Sequence, residues 1–188
     1  MRLLANLLVL ILLSAICAPL AFADAGDTDL IVLGEGGFSG SSSPSSNQYY
    51  TTGVNTYSVT GNLAYWFSDA WEAGIGAGFG RVEYQNCNGI SPCVSDSRSS
   101  QNFKLFGRYN FAADYSGEYS FTGLELTYIR AGGILGNVSV LRPFGGYRFP
   151  LQNGWALELS VGAGVPVSGN TAGFSTNYDV QLGLVLPL

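Results

Sequence analysis

Eight charged residues stand at positions where they could act together: Glu35, Glu72, Lys104, Arg108, Glu125, Arg142, Arg148 and Glu158. Four carboxylates against four cations is the make-up of an interior ion-pair network, because a charge removed from water needs a partner. The same set could line a narrow path for ions or small solutes, with Arg108, Arg142 and Glu125 as its wall. Catalysis has less to work with. The chain has no His, so imidazole is absent both as a base and as a metal ligand. Its one lysine, Lys104, lies between Phe103 and Leu105, a poor setting for a Ser–Lys dyad. Neither G-x-G-x-x-G nor a phosphate-loop lysine occurs. Gly74, Gly76, Gly78 and Gly80 are spaced by two, so they share one strand face and leave room for bulky neighbours. The residues therefore point to a non-enzymatic protein with no cofactor and no metal.

The elements that must carry these charges are strands. Only 11% of the 188 residues are charged, while 26 are Gly and 13% are aromatic. The formal net charge of −5 argues against a nucleic-acid partner. Residues 1–23 read as a secretory leader: Arg2, an apolar run from Leu7 to Ile16, and Ala21-Phe22-Ala23 before Asp24. The remaining 24–188 form one domain with two cysteines. Cys87 and Cys93 most simply make a disulfide in an exported chain. Two thiolates without His or further Cys do not close a metal shell.

Alternation with period two recurs in eight segments, at about 29–38, 55–67, 71–84, 101–111, 120–130, 137–149, 155–166 and 174–188. In the second, Tyr57, Val59, Leu63, Tyr65 and Phe67 oppose Ser58, Thr60 and Asn62. In the seventh, Trp155, Leu157, Leu159, Val161, Ala163 and Val165 oppose Glu158, Ser160, Gly162 and Gly164. The polar stretches 40–54 and 85–100 read as long loops after strands one and three. Ser68–Ala70 and Pro150–Gly154 read as short turns. An even strand number then puts both termini on one side, the periplasm.

Three features place the apolar face outside. Aromatics gather near both ends of the apolar faces: Tyr57, Phe67, Trp71, Phe79, Phe103, Phe111, Tyr147, Phe149 and Trp155. The eight charges keep to the other parity, where Trp66, Phe106 and Phe144 would also narrow the lumen. The chain ends Gln181-Leu182-Gly183-Leu184-Val185-Leu186-Pro187-Leu188. This ending resembles the C-terminal assembly signal of bacterial outer-membrane barrels, with Leu188 where an aromatic is usual. Across the mature chain the pattern resembles the small eight-stranded OmpA, OmpX and opacity-type barrels.

The resemblance implies an all-β, eight-stranded antiparallel up-and-down transmembrane β-barrel in the bacterial outer membrane, without the peptidoglycan-binding module of full-length OmpA-type proteins. It implies a structural or surface-contact role through extracellular loops, and as partners outer-membrane lipid, lipopolysaccharide and the barrel assembly machinery. The loop ligand is open. Enzymes of similar architecture, the lipid A deacylases, lipid A palmitoyltransferases and omptin proteases, use an active-site His that this chain lacks. Two other readings remain at this point: a narrow porin or small-solute channel, and a soluble periplasmic ligand-binding barrel. Arg81 and Arg130 continue the outward parity at the extracellular strand ends and could meet lipopolysaccharide phosphates.

Overall fold

The computed structural model describes residues 26–45, 48–87, 94–111, 118–131, 137–151, 154–169 and 176–188, with side chains outside 38–52, 84–87, 94 and 96. The leader and Cys93 lie outside the described residues, as does the side chain of Cys87. Eight strands form: β1 (Thr28–Ser45), β2 (Gln48–Trp66), β3 (Trp71–Cys87), β4 (Val94–Asn110), β5 (Tyr119–Ala131), β6 (Asn137–Pro150), β7 (Ala156–Gly169) and β8 (Asn177–Pro187). Each pairs antiparallel with the next, and β8 pairs with β1 to close the barrel. Leu188 N–H donates to the Thr28 carbonyl at 2.9 Å beside that seam. Closure removes the free edges that would otherwise present unpaired backbone groups.

At the end carrying the termini, the connections are tight where they are described. Phe67 N–H donates to the Trp71 carbonyl at 3.1 Å, and the Ser68 hydroxyl accepts from Trp71 N–H at 3.1 Å. Gly154 takes a φ of 79°, which lets the chain turn between Leu151 and Trp155.

The stretches read as long loops, 40–54 and 85–100, are largely strand. The β1–β2 ladder runs from Thr28↔Tyr65 to Ser45↔Gln48, and β3–β4 from Trp71↔Tyr109 to Asn86↔Val94. A membrane strand needs only about 9–11 residues, so these hairpins of 17–19 residues per strand continue well past a bilayer. Beyond lipid no face need be apolar. Backbone pairing therefore persists where sequence alternation has stopped, and the ends of the strands became invisible to a periodicity argument.

The two faces of the wall differ completely. Outside, Val59, Leu63, Ile75, Phe79, Leu105, Leu126, Leu159, Val161, Val180 and Leu182 are exposed. Inside, Glu72, Lys104, Arg108, Glu125, Arg142 and Glu158 are buried. A barrel in water would carry the reverse arrangement, which rules out the soluble ligand-binding alternative. Rings band the end that carries the termini. Phe67 stacks on Trp71 at 6.4 Å, Trp71 meets Tyr109 edge-on at 5.1 Å, Tyr109 meets Phe111 at 5.2 Å, and Tyr147 lies 4.6 Å from Phe149. At the other end Tyr57, Phe79, Phe103, Tyr128 and Tyr178 face outward. Together they make the two aromatic girdles of a membrane barrel.

Candidate functional site: the charged lumen

The interior charges come from alternate residues of seven strands, because a closed barrel sends every second side chain inward. All eight charges singled out above point into the lumen. Two more join them, Asp29 of β1 and Asp179 of β8. Both share the inward parity, Asp29 with Ile31 and Asp179 with Gln181. Following that parity to the strand ends is the signal that finds them.

The charges divide into two groups. Nearer the termini, Arg108 makes a forked contact with Glu72: Nε donates to Oε2 at 2.6 Å and Nη2 to Oε1 at 2.8 Å. Its Nη1 also donates to Glu158 Oε2 at 2.9 Å. Arg148 Nε donates to Glu158 Oε1 at 2.6 Å, and its Nη1 donates to Asp29 Oδ2 at 2.9 Å. Trp66 Nε1–H donates to the same Asp29 oxygen at 3.1 Å. Aromatic faces cover the cations. The Arg108 guanidinium lies 4.7 Å from the Phe121 ring centre, and that of Arg148 lies 5.0 Å from Tyr119.

Towards the other end, Lys104 Nζ donates to Glu35 Oε2 at 2.7 Å and lies 3.3 Å from Glu125 Oε1. Thr127 Oγ1 donates to Glu125 Oε1 at 2.7 Å, and Ser58 Oγ to Glu35 Oε2 at 3.3 Å. Arg142 Nε donates to both Asp179 oxygens, at 2.7 and 2.8 Å, and its Nη1 lies 3.8 Å from Glu125 Oε2. Glu125 thus meets Lys104 and Arg142. Arg108, the other cation on the adjacent strand, turns instead to Glu72 and Glu158.

Between the groups Ile31, Phe106, Phe121 and Phe144 pack as an apolar layer. The gap they leave beside Arg108, Glu125 and Glu158 has a volume of about 20 Å³, room for about one water. Glycines make this filling possible. A Cβ at Gly74 would stand 2.5 Å from the Phe106 ring, and one at Gly162 would stand 2.5 Å from the Arg142 guanidinium carbon. From Gly74 to Gly80 the inner face of β3 is bare, so that side chains of the flanking strands, Asn62 of β2 and Asn102 and Phe106 of β4, can lie over it.

Chemically, the arrangement pairs and fixes charge. Each cation is held by at least two carboxylates. Among the described residues no cluster of three potential metal ligands forms.

This geometry can be set against known proteins. No family model matches the sequence, and no curated protein matches it. Solved structures do. The outer membrane protein OprG from Pseudomonas aeruginosa aligns with a TM-score of 0.61 at 12% identity, over 90% of this chain and 99% of that one. The fold is that of the small eight-stranded outer-membrane barrels. The β domain of the Bordetella autotransporter BrkA aligns more loosely, with a TM-score of 0.36 at 13% identity over 86% of this chain and 99% of that one. With the apolar exterior and twin girdles, the fold sets the chain in the bacterial outer membrane.

Arg81 and Arg130 lie apart from the lumen, on the outer face. Arg81 Nε is 3.4 Å from Glu83 Oε1 and donates to Ser97 Oγ at 2.5 Å. Arg130 is exposed at the end of β5.

Proposed function

We propose that this barrel is a non-enzymatic outer-membrane protein whose lumen is plugged by its own side chains and whose contacts are made by the hairpins beyond the bilayer. The single observation that supports the plug most directly is the ion-pair network spanning the lumen. Arg108 of β4 bonds Glu158 of β7, and Lys104 of β4 bonds Glu35 of β1, so links run between strands that are not neighbours. An aromatic layer fills the space between them. The surface role rests on the height of β1–β4, which extends the wall past the lipid on one side. Both termini belong to the periplasmic side in this reading, and β1–β2 and β3–β4 to the cell surface. The partners are outer-membrane lipid and the barrel assembly machinery that inserts the chain.

Planar-bilayer recording tests the plug. The purified, folded protein should show no steady ohmic conductance. A stable open channel whose ion selectivity changes with Glu125→Gln, without loss of stability, would replace this reading with a narrow pore.

A further inference from the structure

Most cations among the described residues are satisfied within the protein. Lys104, Arg108, Arg142 and Arg148 are paired in the lumen, Arg81 with Glu83, and Arg98 has interactions of its own. Arg130 is the exception among the described residues: it has neither an ion pair nor a hydrogen-bonded partner. Its position is specific. On three adjacent strands the outward residue just beyond the last girdle ring is polar: Arg81 beyond Phe79, Gln101 beyond Phe103, Arg130 beyond Tyr128.

The register brings these groups together. Phe79 pairs with Gln101, Gln101 with Arg130, and Arg81 with Ser99. Arg81 and Arg130 therefore flank Ser99 and Gln101 from either side, with two strand spacings and a two-residue offset placing their backbones roughly 12 Å apart. Phe79, Gly80, Ser99, Ser100, Gln101, Arg130 and Ala131 line a groove of about 420 Å³ here. Aromatic rings mark the level where acyl chains give way to headgroups. An arginine immediately above them costs little there and faces the headgroup phosphates of the surrounding leaflet.

We infer that Arg130, with Arg81, Ser99 and Gln101, forms a binding site for the bisphosphorylated disaccharide headgroup of lipopolysaccharide in the outer leaflet. Arg130 supplies a free guanidinium fork for one phosphate, the geometry that suits a phosphate oxygen pair. Arg81 supplies the second cation, restrained by Glu83. The hydroxyl of Ser99 and the amide of Gln101 face the sugars between them, while Phe79, Phe103 and Tyr128 stand below against the acyl chains. Two cations about two strands apart fit a headgroup with phosphates at its two ends better than a single glycerol phosphate. This inference rests on the membrane orientation proposed above, but not on the plugged lumen.

Native mass spectrometry of the folded protein in detergent, titrated with bisphosphoryl lipid A, its dephosphorylated form and phosphatidylglycerol, tests the site. Bisphosphoryl lipid A should bind at least tenfold more tightly than either comparison lipid. Arg130→Gln should weaken it about fivefold, and Arg81→Gln with Arg130→Gln about 25-fold, at about one such factor per cation. Arg130→Lys should fall between wild type and Arg130→Gln, and Glu83→Gln should tighten binding by releasing Arg81. Heat-modifiable gel migration and bilayer conductance should stay as in wild type, so failure here is separable from failure of the plug. Equal binding of phosphatidylglycerol and lipid A, or unchanged lipid A binding in the double variant, would overturn the site.

Discussion

Arg108 and Glu158 meet across the lumen at 2.9 Å, although their strands, β4 and β7, are separated by β5 and β6. Backbone ladders fasten each strand only to its neighbours. A bond of this kind ties opposite walls together, and Arg108 makes it while also gripping Glu72 on the adjacent strand. Glu158 in turn holds Arg148. Glu158 thus hydrogen-bonds two buried arginines, while Glu72, which grips Arg108, stands 3.9 Å from Arg148.

That sharing sets a rank order. Glu158→Gln leaves Arg108 and Arg148 short of one carboxylate between them. Breaking a buried pair costs about 3–5 kcal/mol. Every cation keeps a second carboxylate in either variant, but Glu125→Gln is milder because its contacts are longer, 3.3 Å to Lys104 and 3.8 Å to Arg142, against 2.9 and 2.6 Å from Glu158 to Arg108 and Arg148; a charged hydrogen bond lost there is worth about 1.5–3 kcal/mol. Urea unfolding in detergent, followed by heat-modifiable migration, should place the Glu158→Gln midpoint below that of Glu125→Gln. Adding Arg148→Gln to Glu158→Gln should recover part of the loss. Equal midpoints for the two single variants would remove the distinction.

The sequence carries the barrel more fully than it carries the pairing. Period-two alternation in segments such as 55–67 and 71–84 follows directly from a wall with lipid on one side and a polar lumen on the other. Hence the inward set Glu72, Lys104, Arg108 and Glu158 can be read by counting. Which of them touch is another matter. Glu72↔Arg108 and Arg148↔Glu158 are opposite one another in register, but Lys104–Glu35 and Arg148–Asp29 depend on how the sheet closes. No local pattern encodes that closure. The upper parts of β1–β4 carry no such signal for a different reason: outside the bilayer the burial that creates alternation is absent, so Ser- and Thr-rich segments paired as strands look like loops.

The height of β1–β2 gives a topological expectation. An epitope inserted at the Ser45–Gln48 connection should be reached by antibody on intact cells. A tag at Leu188 should be reached only after the outer membrane is permeabilised. The opposite pattern would invert the orientation.

The cysteines give a local one. Cys87 closes the described part of β3, and Cys87 and Cys93 are expected to be joined in the oxidised, exported protein. A loop this short is stabilised by about 2–3 kcal/mol at most, and Cys87 stands at the end of β3 opposite to that carrying Glu72. Cys93→Ser should leave heat-modifiable assembly intact and speed protease cleavage between β3 and β4. Peptide mapping without reductant checks the bond itself. Loss of assembly would give the bond a larger part in folding.

Gly162 shows how the ion pairs and the bare wall depend on each other. Arg142 of β6 must pass over β7 to reach Asp179 of β8, and Gly162, directly opposite Asp179 in the β7–β8 register, is the position it crosses. A Cβ there would lie 2.5 Å from the guanidinium carbon and 2.6 Å from Nη2. Gly162→Ala should therefore displace Arg142 and cost about 1–3 kcal/mol, as overpacking does. Gly107, on the outer face, has nothing within 4 Å of its would-be Cβ. Gly107→Ala should be neutral or stabilise by about 0.4–1 kcal/mol by restricting the unfolded chain. The decisive arm is the background. With Arg142→Met and Asp179→Asn already in place, no guanidinium crosses β7, and Gly162→Ala should then cost little in the same urea titration. If the alanine costs as much there as in wild type, the backbone of β7 itself requires glycine, and the crossing of Arg142 is not the reason.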